Sequence, residues 1–274
     1  MREGRTLEQV ISPVVLWTLL LLTLIPFVYM LSFSVKDLGQ FEHERWTVSF
    51  PFHWENFPAA FQAIQGYVFN SILVSAGAVL GVLALSALGG FAFARGKFPF
   101  KETLFYLVIG GMMIPGILYL VPKFILFREF GLMNTRWALW LPYWTEGQLF
   151  GIFLVRSSIE ALPSDLFHAA EIDGASVWLR FRHVALPLIK PILATLAVLN
   201  VLFTWNDIIW PWLVLTDRSM MTIPIGLVCY RRSFLDLAGP IFSAYVIASV
   251  PLLLLFAATS RTFVRGLTSG AFKA

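Results

Sequence analysis

Six long apolar runs, separated by shorter polar stretches, decide what this chain can become. They fall at Val14–Ser34, Asn70–Ala94, Thr103–Phe127, Trp137–Ser157, Pro187–Trp210 and Pro240–Thr262. About 20 such residues in a helix reach across a hydrocarbon core of roughly 30 Å. Lipid offers the backbone no hydrogen bonds, and the runs do not alternate with the period of two that barrel strands need, so helices are required. Composition agrees, with 58% of the 274 residues apolar and 13% charged, against about 45–50% and about 25% in an average soluble domain. Mean hydropathy is +0.77. The expected class is an all-α integral membrane protein with six transmembrane helices.

The expected layout is an N-terminal segment 1–13, a first helix 14–34, an outer loop 35–69, a core of five helices over 70–262 and a tail 263–274. Arg2 and Arg5 before the first run resemble the start of a signal peptide. The run is long and ends in Leu31-Ser32-Phe33-Ser34 without a small-residue cleavage site, so it reads as a retained anchor. Placing both termini inside puts Arg2, Arg5, Arg95, Lys97, Lys101, Arg156, Arg180, Arg182, Lys190, Arg261, Arg265 and Lys273 inside, which leaves 20 − 12 = 8 of the Lys and Arg outside. That bias favours a cytoplasmic location for both termini. The net charge of +4 arises from flanking residues without a dense basic run, which argues against nucleic-acid binding. One cysteine, Cys229, forms no intrachain disulfide, and no Cys or His grouping has metal-ligand spacing.

Between the fourth and fifth runs lies a mostly polar insert, 158–186, too long for a simple turn. Ser164 is placed to cap a helix over about Ser164–Asp173, with Asp165 in its first turn, and Gly174 to stop it. Ser176 is placed to start a second helix, and Pro187 to open the fifth span. Leu166, Ala169 and Ala170, then Trp178, Phe181 and Ala185, recur at helical spacing and give each helix an apolar face. Lipid headgroups, a groove on a partner protein and the chain's own spans all remain candidates to cover those faces.

The insert resembles the signature loop of ATP-binding-cassette (ABC) importer permeases: E-A-A, three residues, G, nine residues, I-x-L-P. Here it reads His168-Ala169-Ala170, Gly174 and Val184-Ala185-Leu186-Pro187, with Asp173-Gly174-Ala175-Ser176 in the form usual for the carbohydrate branch. Further matches run from Asn70-Ser71 to the end: Phe91-Ala92-Phe93-Ala94-Arg95, Met113-Ile114-Pro115, Trp205-Asn206-Asp207, Thr222-Ile223-Pro224 and Gly266-Leu267-Thr268. Together they are similar to the second permease subunit of maltose-type sugar importers. The resemblance implies a type I importer fold with a cytoplasmic coupling helix between helices 4 and 5. It assigns ATPase contact to His168, Ala169, Ala170, Asp173, Gly174, Ala175 and Ser176. It also implies a second homologous permease, two ATPase subunits that carry the ATP and Mg chemistry, and an extracytoplasmic solute-binding protein. The cargo implied is a di- or oligosaccharide or related polyol, with glycerol-phosphate esters as the alternative. His168 departs from the family's acidic residue, and Glu171 or Asp165 is expected to supply that charge.

Polar groups inside spans are costly and mark function or helix association. Counting from Pro187 at about 1.5 Å per residue places Asn200 about 20 Å in and Asp207 about 30 Å in. Asn200, Thr204 and Asp207 share one face, which suits a water-lined solute path and also suits helix-to-helix hydrogen bonding. Asp207 stands beside Trp205, Trp210 and Trp212, an interfacial setting. Pro115-Gly116 and Pro122 interrupt the third span; a proline kink is expected there, with a broken helix lining the path as the alternative. Gly77 and Gly81 form a G-x-x-x-G pair that permits close approach. The segments Lys36–Phe69 and Arg218–Gly239, the second with Arg231 and Arg232, are expected as outer loops able to meet a binding protein.

A membrane enzyme is the rival class. Histidines occur at 43, 53, 168 and 183, none inside an expected span, and neither HExxH nor GxSxG appears. No GxxxxGK[ST] is present, so ATP hydrolysis falls to a partner and this chain is expected to bind no cofactor. A passive scaffold would have no need of the intramembrane polar face.

Overall fold

The computed structural model describes residues 7–233 and 238–271. All regular elements among them are helical. In chain order they are α1 (Leu7–Ser34), α2 (Leu38–His43), α3 (Asn56–Arg95), α4 (Lys101–Met112), α5 (Leu120–Glu129), α6 (Trp137–Glu160), α7 (Ser164–Ile172), α8 (Val177–Arg180), α9 (Leu186–Leu188), α10 (Lys190–Asn206), α11 (Ile209–Val214), α12 (Ile223–Ser233) and α13 (Ala238–Ala271). Three helices are long and apolar enough to cross a membrane, namely Pro13–Ser34, Asn56–Arg95 and Ala238–Thr259. Two bent pairs, Lys101–Met112 with Gly116–Glu129 and Val177–Leu188 with Lys190–Asn206, raise the number to five.

The expected fourth span, Trp137–Ser157, is a helix of suitable length but is not among those five. Its sequence explains this. Trp140, Tyr143, Trp144, Glu146 and Gln148 dilute its hydropathy, while Leu139, Val155 and Ile159 are fully buried against protein. A helix that faces its own neighbours needs less lipid-compatible surface.

Two compact units can be distinguished. One comprises the described parts of Met1–Gln65 and Leu227–Val250. In it α1 exposes its apolar side chains, with none of the span window buried, so lipid or another membrane helix is the natural neighbour. After α1 the chain is tied by Lys36, 1% exposed, whose Nζ donates to the carbonyls of Glu44 and Thr47. Asn56 Nδ2 donates to the carbonyls of Ser34 and Lys36 at 3.0 Å each. Asp37 caps α2 with a reciprocal box through Gln40. The segment expected as an outer loop over 35–69 is therefore only partly a loop, since α2 and the first turns of α3 occupy it.

The other unit comprises Gly66–Gly226 and the described part of Pro251–Ala274. Its centre is α6, packed against α3, α4 and α10. Gly77 and Gly81 do allow close approach, but what approaches is a pair of indoles. A Cβ at either position would lie 2.4 Å from Trp140 Nε1 or 2.0 Å from Trp144 Nε1. Those indoles donate to the carbonyls of Val74 and Gly77 at 3.2 and 2.9 Å.

Four further expectations are corrected. The third span is no mild kink: its halves meet at 91° across Met113–Pro115. Pro115 lacks an N–H and excludes the helical conformation at Ile114, so the ladder stops rather than bends. The fifth span opens at Lys190 after a 72° bend, with Pro191 rather than Pro187 in its first turn, and ends at Asn206 rather than Trp210 because Asp207 is extended. The expected loop over 218–239 contains a 3₁₀ turn and α12; residues 234–237 and the Arg232 side chain lie outside the description. The expected tail over 263–274 is helical to Ala271. Residues 1–6 of the expected N-terminal segment, and 272–274, lie outside the described residues.

Candidate functional site

The insert 158–186 folds as a helix, a sharp bend and a second helix. Ser164 is not the cap: α7 begins at Ser164 itself, Pro163 occupies the capping position, and no side chain caps it. Pro163 fixes the backbone angle at the entry but offers no side-chain acceptor to the first-turn N–H groups. Asp165 lies in the first turn as expected. Gly174 ends the helix at φ +76°, with Gly174 N–H donating to the Glu171 carbonyl at 3.1 Å and Ala175 N–H to the Ala170 carbonyl at 2.9 Å. That pair of bonds is a Schellman motif, open to glycine because the left-handed conformation costs other residues about 1–2 kcal/mol. Ser176 Oγ accepts from the Leu179 N–H and starts α8 as expected. A π turn over Phe181–Ala185 then carries the chain into α9.

One side of this element is locked into the chain's own core. Phe167, Phe181 and Ala185 are 4%, 5% and 0% exposed and pack with Phe91, Val155 and Ile159. Phe167 escaped the sequence reading, which gave this helix an apolar face of Leu166, Ala169 and Ala170 and left its cover open; Leu166 and Ala169 are exposed, and it is Phe167 that enters the chain's own core. Arg95, last residue of α3, places its guanidinium 4.1 Å from the Phe167 ring centroid and donates to the carbonyls of Ile159 and Leu162 at 3.2 Å each. Glu171 pairs with Arg180 at 3.0 Å across the bend.

The other side is bare. His168, Ala169, Asp173, Gly174 and Ser176 are exposed, Ala170 and Ala175 half-buried, and Ile172 and Trp178 are 87% and 57% exposed. Of the two carboxylates expected to replace the acidic residue at 168, Glu171 is engaged with Arg180, while Asp165 stands exposed in the favourable first turn.

The polar face of α10 turns inward. Asn200 and Thr204 are 8% and 3% exposed. Thr204 Oγ1 bonds Ser75 Oγ on α3 at 2.9 Å, and Asn200 Nδ2 donates to the Leu196 carbonyl at 2.8 Å. Asp207 accepts from Tyr143 Oη at 2.9 Å and from the Ile209 N–H at 3.1 Å, which organises the start of α11. Beside this seam lies a cavity of about 690 Å³, bounded by Ile114, Tyr119, Lys123, Leu126, Glu146 and Leu149 among others. Lys123 and Glu146, absent from the sequence reading as a pair, meet there at 2.8 Å. Pro115 sits at the neighbouring break, next to the cavity residue Ile114.

Apolar helices, two sharply broken spans and an internal polar seam define a multi-pass membrane protein. The chain belongs to the family of binding-protein-dependent transport system inner membrane components, whose profile matches residues 86–269. It is similar to the probable ABC transporter permease protein YurM of Bacillus subtilis (strain 168), 33% identical over 94% of this chain and 87% of that one. It is also 32% identical, over 94% of this chain and 86% of that one, to the diacetylchitobiose uptake system permease protein NgcG of Streptomyces coelicolor (strain ATCC BAA-471 / A3(2) / M145). A solved bacterial ABC transporter involved in import of the acidic polysaccharide alginate has the same fold, with a TM-score of 0.84 at 18% identity over 96% of this chain and 100% of that one. At that identity the likeness concerns fold alone.

Proposed function

We propose that the chain is one of two permease subunits of an ATP-driven importer for a sugar, with α6 as a sixth span and both termini cytoplasmic. Two ATPase subunits supply ATP and Mg²⁺ chemistry, and a binding protein delivers the solute. The observation that carries this reading is the two-sided element around Gly174. Phe167 and Phe181 hold one side in the membrane core's own packing, while Ala169, Asp173 and Trp178 leave the other side free for a partner. A mechanical joint needs both properties.

Sugar cargo is supported by a relative named for diacetylchitobiose. The phosphate-ester alternative finds no support among the relatives. Burial of Asn200 and Thr204 favours the reading in which they tie helices, leaving Pro115 and the adjoining cavity as the stronger candidates for the solute path.

The test uses Gly174→Val and Gly174→Asn in the reconstituted complex. A Cβ at 174 meets nothing of this chain within 4 Å, so within the chain the substitution acts through φ +76°. Asparagine tolerates that conformation and valine does not. ATP-driven uptake of a radiolabelled oligosaccharide should be lost in Gly174→Val and largely kept in Gly174→Asn, with both complexes inserted in the membrane. Equal uptake by both would refute coupling through this bend.

A further inference from the structure

We propose that Lys123 and Glu146 form a solute-binding subsite within this chain, for a neutral polyhydroxylated ligand; this rests on the reading of the chain as a sugar permease. The two side chains are 15% and 25% exposed, with Nζ 2.8 Å from Glu146 Oε1. Lys123 lies in the first turn of α5, beyond the 91° break, and Glu146 near the middle of α6. Ionisable groups this buried are expensive, and a buried ion pair is often no more stabilising than well-packed apolar residues of the same volume. A merely architectural contact between α5 and α6 would not need these charges.

The pair opens on the cavity of about 690 Å³, within the roughly 300–1,000 Å³ typical of small-molecule sites. Its walls are mostly apolar, with Leu126, Phe127 and Leu149 among them, while Tyr119 and Thr145 add hydroxyls. Lys123 Nζ also lies 4.1 Å from the Trp210 ring centroid and 5.3 Å from that of Tyr119. This combination matches the two-sided chemistry of a sugar. Its hydroxyls accept from the ammonium and donate to the carboxylate, and its C–H faces lie on rings. An ammonium offers three donors and a carboxylate about four lone-pair sites, so the single bond between them leaves capacity for a ligand.

Charge selects the class. Lys123 and Glu146 are the formally charged residues lining the cavity, and they sum to zero. An anionic ligand would bring a second negative charge against Glu146 in a poorly screened site, whereas a neutral polyol meets no such repulsion. Neutral oligosaccharides are therefore favoured over uronate-containing ones and over phosphate esters.

The test is uptake by the reconstituted complex, comparing a radiolabelled neutral oligosaccharide, a uronate-containing one and a phosphate ester. Wild type should prefer the neutral solute at least tenfold in kcat/KM. Glu146→Gln leaves a net positive site, so KM for the neutral solute should rise about tenfold and selection shift towards anions. Lys123→Met should also raise KM but shift selection the opposite way. An architectural pair predicts no opposed shifts, so unmoved selection in both variants overturns the subsite, as does a wild-type preference for an anion. Where a single variant fails to assemble, the double change Lys123→Met with Glu146→Gln leaves no lone charge, and an unchanged KM there overturns the proposal. A wild-type complex that imports none of the solutes refutes the permease reading instead.

Discussion

Removing the Arg95 side chain should free the α7 element from the bundle without unfolding the bundle itself. Its guanidinium makes three contacts: a face-on approach to Phe167 at 4.1 Å and two donations, to the carbonyls of Ile159 and Leu162. A cation–π contact is worth about 1–2 kcal/mol when partly desolvated. Two rather long hydrogen bonds, to the Leu162 carbonyl and to an Ile159 carbonyl that also accepts from the Leu162 N–H, add about 1 kcal/mol each at most. Arg95→Leu should therefore weaken docking of α7 by about 3 kcal/mol, roughly a 100-fold rise in the locally open population. Arg95→Lys keeps the charge but loses the planar fork and should fall between the two. Amide hydrogen exchange across Ser164–Ile172 reads the change directly, with exchange in the middle of α3 as control. Phe167→Leu should accelerate the same amides, and the double variant should fall short of additivity by about 1–2 kcal/mol because the two side chains share a contact. Exchange in α7 that stays within threefold of wild type, or full additivity, would refute the clamp.

Two smaller predictions concern packing and pH. A Cβ at Gly147 would lie 2.5 Å from Asn200 Oδ1 and 2.7 Å from Val82 Cγ2, so Gly147→Ala should cost about 1–3 kcal/mol by overpacking. The same change at Gly110, with nothing within 4 Å, should raise the melting temperature slightly, since alanine in a helix is favoured by about 0.5–1 kcal/mol. Burial holds the Lys36 ammonium below its usual 10.5, with Glu44 partly restoring it. Between the folded value and 10.5 the unfolded segment binds a proton that the folded one lacks, so stability rises with pH across that window. Proteolysis of the 37–55 segment should slow accordingly in wild type. Lys36→Met should lose that dependence and cut faster at neutral pH, having removed the ammonium that joins the Glu44 and Thr47 carbonyls.

Helix class was legible because the solvent dictates it: a backbone in lipid has nowhere to bond but itself. Gly174 and Ser176 were legible because their roles depend on backbone sterics and one local bond. Ser164 misled because the helix starts one residue earlier than a Ser164 cap implies, and a cap candidate in the sequence does not fix a helix boundary to the residue. The 91° break was underestimated because proline's local effect is fixed but the final angle is set by what the freed segment packs on. Lys123 and Glu146 stayed invisible for a different reason. They are 23 residues apart, on separate helices, and nothing in the sequence pairs one with the other. Only the fold brings them within 2.8 Å. Trp140 and Trp144 stayed invisible for the same reason: their indoles, on another helix, are what Gly77 and Gly81 accommodate.

The helix that sequence hydropathy marks least clearly is the one through which the proposed function must act. α6 carries Glu146 at the cavity and, further along, Val155 and Ile159 in the cluster that grips Phe167 and Phe181. Glu146 and Ile159 are 13 residues apart, about 20 Å of helix at 1.5 Å per residue. Pro142 precedes both, so nothing between them removes a ladder bond. A continuous helix packed at one end on the proposed coupling element and lining the proposed solute cavity at the other would transmit displacement as a rod. The lever has two consequences that a loose linkage would not share. A proline placed between them, Phe150→Pro, should uncouple ATP hydrolysis from uptake while sparing the Arg95–Phe167 clamp. An alanine at the same position, which shortens a half-exposed side chain without breaking the ladder, should leave the stoichiometry of ATP to solute unchanged. Uptake that stays coupled in the proline variant would show that α6 is only a scaffold, and that motion reaches the cavity by another helix.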